Sequence, residues 1–205
     1  MINSLKISGA IGEPVKMVAE MVFQDGSIST ADTAMALAFS FSTARPFVYA
    51  DGVYRYDSTE GSLTSSVNEP IQAFELEINN NLITDAGARQ LGTRVFSRIP
   101  PSPRREVKLK ITQRFDTSTT WTKMTQNTAS AVQLFFRGDT ISAEYFRDLT
   151  VTLPSVRAKN TEPLVEGPND VLESEIEFDV LVSGGATSTA RELWMSLRNG
   201  RTTAY

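Results

Sequence analysis

Apolar and charged residues alternate along three segments of this chain, and the sign of the charge differs between them. In Val107–Phe115 (VKLKITQRF), Val107, Leu109, Ile111 and Phe115 stand against Lys108, Lys110 and Arg114. In Ile71–Asn80 (IQAFELEINN), Ile71 and Ala73 and, after a one-residue step, Phe74, Leu76 and Ile78 stand against Glu75 and Glu77. In Val171–Leu181 (VLESEIEFDVL), Ile176, Phe178 and Val180 stand against Glu173, Glu175, Glu177 and Asp179. Successive side chains on a strand point to opposite faces, so each segment is a strand with one buried and one charged face. Together they predict a sheet that presents organised charge to water or to a neighbour, which suits a surface-making or lining protein better than an enzyme.

The rest of the chain also reads as strands. Ile2–Ser8 alternates, Gly9 and Gly12 bracket a turn, and Val15–Phe23 returns as a second strand ended by Asp25-Gly26. A strand beginning at the second residue is expected to need a partner from outside this sequence. Pro46–Ala50 and Val53–Tyr56, joined by Asp51-Gly52, predict a hairpin. Thr59–Ser66 reads as a polar loop, Asn79-Asn80-Asn81 as a turn, and Arg89–Ile99 as extended, followed by a stiff connection through Pro100, Pro101 and Pro103. Asp116 is a good N-cap, which makes Ser118–Gln126 the best helix candidate. Ala131–Phe136, Tyr145–Leu153 and Val156–Val165 complete the strands, separated by Gly-Asp and Pro signals, and Arg191–Arg198 adds a short helix or strand. The expectation is one mainly β domain over residues 1–205, a sandwich or barrel with about one helix. It carries an extended arm at 25–46, which has no clear period, and a polar tail from 183.

Composition narrows the chemistry. With 40% hydrophobic and 21% charged residues the chain is not broadly disordered, and a formal net charge of -4 gives no support to a general nucleic-acid-binding surface. There is no cysteine and no histidine, which excludes disulfides, thiolate chemistry and the usual neutral-pH general base. No apolar run is long enough for a membrane helix. Gly184-Gly185 is not followed by the Lys-Ser/Thr pair of a phosphate-binding loop. The carboxylates Glu173, Glu175, Glu177 and Asp179 form a ladder roughly 6–7 Å per step along one strand face. Paired carboxylates serve glycosidases and calcium sites, but no Asp/Asn/Gly-rich loop accompanies these, and a solvated or cross-paired face is the simpler reading. The basic set Lys108, Lys110 and Arg114, preceded by Arg104 and Arg105, either pairs across strands or selects a partner at a subunit boundary. Aromatics do not interleave with it as a base-stacking platform requires. Phe135, Phe136, Tyr145, Phe146 and Phe178 are expected in the core, as is Trp194.

The order of segments resembles that of tailed-bacteriophage tail tube proteins. SLKISGAIGEPVKMVAEMVFQD is similar to the strand, Gly-rich turn and longer strand that open the second half of many of them. RPFVYADG followed by IQAFELEINNNL, then VKLKITQRFD, a short helix, AVQLFFRGD, LTVTLPSV and VLESEIEFDVLV, continues that pattern across nearly the whole chain. Such proteins usually carry a further N-terminal region, so the expectation is a portion of a longer subunit or a minimal relative.

The resemblance implies a β-sandwich or barrel-like subunit with one flanking short α-helix and long loops, without enzymatic activity or cofactors. It implies a virion structural protein, assembled in the host cytoplasm into hexameric rings that stack into a hollow tail tube. Sheets of neighbouring subunits would merge into the lumen wall, with other tail proteins as partners, genomic DNA in transient, non-specific passage, and no membrane. Acidic strand faces would keep phosphates from adhering to the wall. That makes Glu75, Glu77, Glu173, Glu175, Glu177 and Asp179 the lumen-lining candidates, and Lys108, Lys110, Arg114, Arg104 and Arg105 the subunit-interface candidates. The arm Ser27–Thr43 and the loop Thr59–Ser66 are candidates for contact between subunits or rings. The alternatives are another phage-tail β-module, such as a tail terminator, an adaptor or a contractile particle's inner tube, and a carbohydrate-binding or hydrolase β-sandwich.

Overall fold

Paired through their backbones, the alternating segments become neighbours in one antiparallel sheet. The computed structural model describes residues 2–22, 45–82, 104–114, 128–142, 145–159, 173–182 and 191–198. Its strands are β1 (Ile2–Ala10), β2 (Lys16–Met21), β3 (Gly52–Asp57), β4 (Asn68–Glu69), β5 (Ala73–Asn79), β6 (Glu106–Arg114), β7 (Ser130–Ser142), β8 (Tyr145–Ala158), β9 (Glu173–Val180) and β10 (Trp194–Arg198). They run in the order β2-β1-β5-β6-β9-β8-β7-β3-β4, with β10 also on β8. The mainly β expectation holds. The helix expected at Ser118–Gln126, the extended Arg89–Ile99 and nearly all of the arm at 25–46 lie outside the described residues.

Strand β8 makes the sheet fold back on itself. Along one edge it pairs with β7, while its other edge is shared, Asp148–Thr152 with β10 and Val156–Ala158 with β9. Only three residue pairs tie β9 to β8, so the sheet turns a corner there. The two halves face each other across one core. The ring centroid of Phe74 on β5 lies 5.4 Å from that of Phe136 on β7, and that of Tyr56 on β3 lies 6.1 Å from that of Phe178 on β9. Ile7, Leu76, Leu109 and Ile111 from one half and Val132, Val151 and Leu153 from the other are buried between them. Fully burying one such side chain contributes about 1.5–3 kcal/mol, so this interleaving dominates stability.

Two glycines admit the central ring pair. Gly9 stands opposite Phe74 and Gly52 opposite Phe136 in the ladders. A β-carbon at Gly9 would lie 2.6 Å from Phe74 Cε1, and one at Gly52 would lie 2.5 Å from Phe136 Cε1. The rings therefore occupy the space that any other residue's side chain would claim.

Three local expectations change. Residues 46–50 do not pair with β3 as a hairpin. Val15 donates to the Phe47 carbonyl and Tyr49 to the Glu13 carbonyl, so this stretch pairs with the β1–β2 connection. The Asp51 carboxylate, bonded to the Val48 amide and the Arg45 guanidinium, instead sets a 3-10 turn at Tyr49–Asp51. Pro154 does not divide two strands, because β8 runs through it. A register irregularity opposite Ser130–Val132 accommodates a residue that has no amide to donate. The loop Thr59–Ser66 is not purely a solvent loop. Leu63 within it is 1% exposed and, with Trp194 bonded to Glu60, packs on the outside of the β7–β8 half. The turn expected at Asn79–Asn81 is present, with Asn81 in the left-handed region at φ 49°.

Candidate functional site

Alternation fixes which charges share a face, and strand order fixes which charges meet. The basic strand β6 lies between the acidic strands β5 and β9. The ladders then align Lys6, Glu77, Lys108, Asp179 and Arg157 in one row across five strands, with the sign alternating at every step. The adjacent row holds Glu75, Lys110 and Glu177, and further along Arg114 stands opposite Glu173. Diagonal ion pairs stitch the rows. Lys6 Nζ lies 2.7 Å from Glu75, Lys110 Nζ 2.8 Å from Glu175, and Lys159 Nζ 3.0 Å from Glu177 and 3.1 Å from Asp179. The hydrogen bond to Glu175, aided by the charges of Glu75, Glu175 and Glu177, raises the pKa of Lys110. Hydrogen bonds to Glu177 and Asp179 do the same for Lys159.

The structure thus brings the lining candidates Glu75, Glu77, Glu173, Glu175, Glu177 and Asp179 together with Lys108, Lys110 and Arg114 on one face. Strands β5 and β9 carry only acidic charges and β6, apart from Glu106 at its start, only basic ones, but the face is a checkerboard, as the cross-paired reading required. Arg104 and Arg105 precede β6 and stand apart from the checkerboard rows. The Arg105 guanidinium lies 2.9 Å from Glu192, just ahead of β10, and the Arg104 carbonyl accepts from Asn81.

Two strands end the sheet with apolar side chains in water. Among the described residues β2 pairs only with β1, and all six of its residues are exposed. Met17 and Met21 face the core side, but project past the core that covers Ile7, and Val18 sits on the charged face opposite Lys6. Among the described residues strand β10 pairs with β8 alone, and Met195 and Leu197 are exposed on its core-side face. Sequence reasoning read β2 as a strand but did not single it out as an interface candidate. Its signal was that KMVAEM carries apolar residues at both parities, which a strand with one buried face does not need.

Of the aromatics expected in the core, Phe136 and Phe178 are buried there, and Trp194 is half-buried with its indole N–H on Glu60. Phe135 and Phe146 are only half-buried on the opposite face of β7–β8, and Tyr145 is 56% exposed. Parity explains the two phenylalanines, since the core residues are the even-numbered Val132, Leu134 and Phe136 on β7 and the odd-numbered Leu149, Val151 and Leu153 on β8, and Phe135 and Phe146 lie out of step with them.

A cavity of about 420 Å³ opens beside Phe74 and Phe136, lined also by Tyr49, Tyr54, Glu69 and Pro70. Burial, with Glu69 and Tyr56 nearby, holds the Tyr54 phenol well above its usual range, so it stays neutral. No group of three or more acidic, His or Cys residues placed to hold a metal ion occurs among the described residues. What the arrangement offers is a charge-patterned wall and open strand edges.

A family model described as phage tail tube protein matches residues 1–180. No curated protein matches the chain. Among solved structures, the SPP1 tail tube, determined by solid-state NMR and cryo-EM, is similar at 13% identity and a TM-score of 0.45, covering 65% of this chain and 75% of that one. Strand β10 lies beyond the residues that the family model matches.

Proposed function

This chain belongs to the phage tail tube protein family, and from that premise we propose that its copies join into hexameric rings stacked as a hollow tube for genome passage. The observation that carries this reading is β2, a six-residue edge strand that, among the described residues, is exposed on both faces and paired on one side only. An open, apolar edge is an aggregation hazard unless another chain covers it, and ring closure removes such edges. A neighbouring copy laid along β2 would cover Met17, Val18 and Met21 and extend the sheet. The contact is heterologous, which is what a ring requires.

The checkerboard face is the candidate wall for the DNA. Its cations are not free to grip phosphates, because carboxylates stand beside them across the strands. Phosphate binding draws on unneutralised Lys and Arg, so a locally balanced face lets a polyanion slide. Glu75, Glu77, Glu173, Glu175, Glu177 and Asp179 act in this reading as neutralisers of Lys108, Lys110, Arg114 and Lys159 as much as repellers of phosphate. Mature subunits would reside in the virion tail, assembled in the host cytoplasm with other tail proteins.

Negative-stain electron microscopy of the purified protein, with light scattering on the same sample, tests the proposal. Rings or hollow tubes with six-fold end views are expected. Val18→Lys together with Met21→Lys should leave a folded monomer that does not polymerise. Tubes formed equally well by that variant would refute the role of β2, and a wild-type chain that stays monomeric at high concentration would refute self-assembly.

A further inference from the structure

Arg137 is a cation held, among the described residues, by aromatic rings and not by a carboxylate. It lies on β7, on the face of the β7–β8 half that points away from the core, and its side chain is exposed. Its guanidinium carbon sits 5.4 Å from the Phe135 ring centroid and 4.9 Å from that of Phe146. Both phenyl rings face away from the core, and between them they hold the arginine in place. Asp148 stands opposite Arg137 across the β7–β8 ladder. That carboxylate is taken by Arg198 of β10 at 3.4 Å, and Arg198 in turn lies 5.9 Å from the Tyr145 ring centroid. Arg137 has no ion pair or hydrogen bond of its own among the described residues, so its forked donors are pre-positioned and unused.

We propose that Arg137, clamped by Phe135 and Phe146, is a docking point for a carboxylate on a neighbouring copy of this chain. The inference rests on the tail-tube reading, since it needs copies to meet. Three observations favour this occupant. The chain carries 24 Asp and Glu against 20 Lys and Arg, so a second copy brings surplus carboxylates. The patch continues from β7 onto β8, where Tyr145 is exposed, and reaches the edge strand β10 through Arg198. Arginine flanked by aromatic rings is the composition in which interface energy concentrates. A nucleic acid fits less well. Arg198 already has Asp148, and the donors of Arg55 on the same face are taken up by Asn68 and Gln133, whereas phosphate binding draws on several free cations. Arg137 accepts a carboxylate through two parallel N–H donors, a geometry that lysine cannot reproduce.

The test compares the full chain with Arg137→Glu, Arg137→Gln and Arg137→Lys by sedimentation velocity and negative-stain microscopy. Circular dichroism and thermal melts serve as the folding control. The expected result is loss of polymer for Arg137→Glu at concentrations where the wild type forms it, and partial loss for Arg137→Lys, with melts unchanged. If the reversal impairs folding, Arg137→Gln, which drops the charge without adding one, must still weaken assembly. Polymers that form equally in wild type and the Glu or Gln variants would overturn this inference and leave the tail-tube reading intact. A wild type that never associates would overturn both. Fluorescence anisotropy with a labelled DNA duplex covers the nucleic-acid outcome: binding by the wild type that Arg137→Glu abolishes, with assembly unchanged, would also overturn it.

Discussion

Reversing one charge at the centre of the checkerboard measures what the pattern does for the fold. Lys110 has Glu75 and Glu177 directly opposite on its two neighbouring strands and Glu175 at 2.8 Å. Each opposite-charge cross-strand pair contributes about 0.2–1 kcal/mol, and like charges directly opposite are destabilising. In Lys110→Glu, three attractions become three repulsions. The Lys110 side chain is 48% exposed, so water screens much of this and the pairwise values do not simply add. A cost of about 1–3 kcal/mol at low ionic strength is the result. With a urea slope of about 1–3 kcal/mol/M for a domain of this kind, the unfolding midpoint falls by roughly 1 M. Lys110→Met keeps the aliphatic stem on the sheet and loses only the attractions, so its cost is less than half as large.

Salt makes the assay decisive. The Debye length falls from about 30 Å in 0.01 M salt to about 3 Å in 1 M. Urea titrations of the monomeric protein at those two ionic strengths separate electrostatics from packing. The reversal's cost shrinks several-fold in high salt if the face is an electrostatic lattice. A Lys110→Glu protein as stable as wild type in low salt, or a cost that salt does not change, would refute the reasoning.

Other consequences follow from the same geometry. Glu175→Lys with Glu177→Lys sets two cations beside Lys110 and Lys159; circular dichroism should report an intact β fold, while microscopy reports impaired assembly or tubes that retain DNA. Gly52→Ala forces the Phe136 ring aside, at an overpacking cost of about 1–3 kcal/mol read by chemical denaturation; an unchanged midpoint would mean the ring moves freely into the adjoining cavity. Tyr54 has a folded pKa raised well above 10.0, so its stabilising contribution is complete below that pH and is lost as pH rises beyond it, when the unfolded state ionises first. Tyr54→Phe should therefore move the alkaline unfolding midpoint upward, with Tyr56, also raised, still contributing in the same direction; an unmoved midpoint would show that Tyr54 does not govern the transition.

Much of the half-sheet that carries the charges was legible because its pattern depends on local alternation alone. Leu76, Leu109, Ile111, Ile176 and Phe178 fall on the core face that their spacing requires, and the Glu and Lys residues between them fall outside. Strand order was not legible, because pairing depends on chain closure over tens of residues. The opposite signs of β5 and β6 made their adjacency attractive, yet nothing local placed β9 on the far side of β6. Pro154 misled for a related reason, since a missing amide matters only where the partner strand keeps register, and Ser130–Val132 does not. The most instructive misses are apolar residues of the wrong parity. Val18 lies on the charged face, and Phe135 and Phe146 lie outside the core. Burial within one chain accounts for none of the three. Val18 belongs to a strand whose outer edge has no partner among the described residues, and the two phenylalanines hold an exposed arginine that has no acceptor among them, so the residues that a single subunit's core fails to explain are the ones an assembly would use.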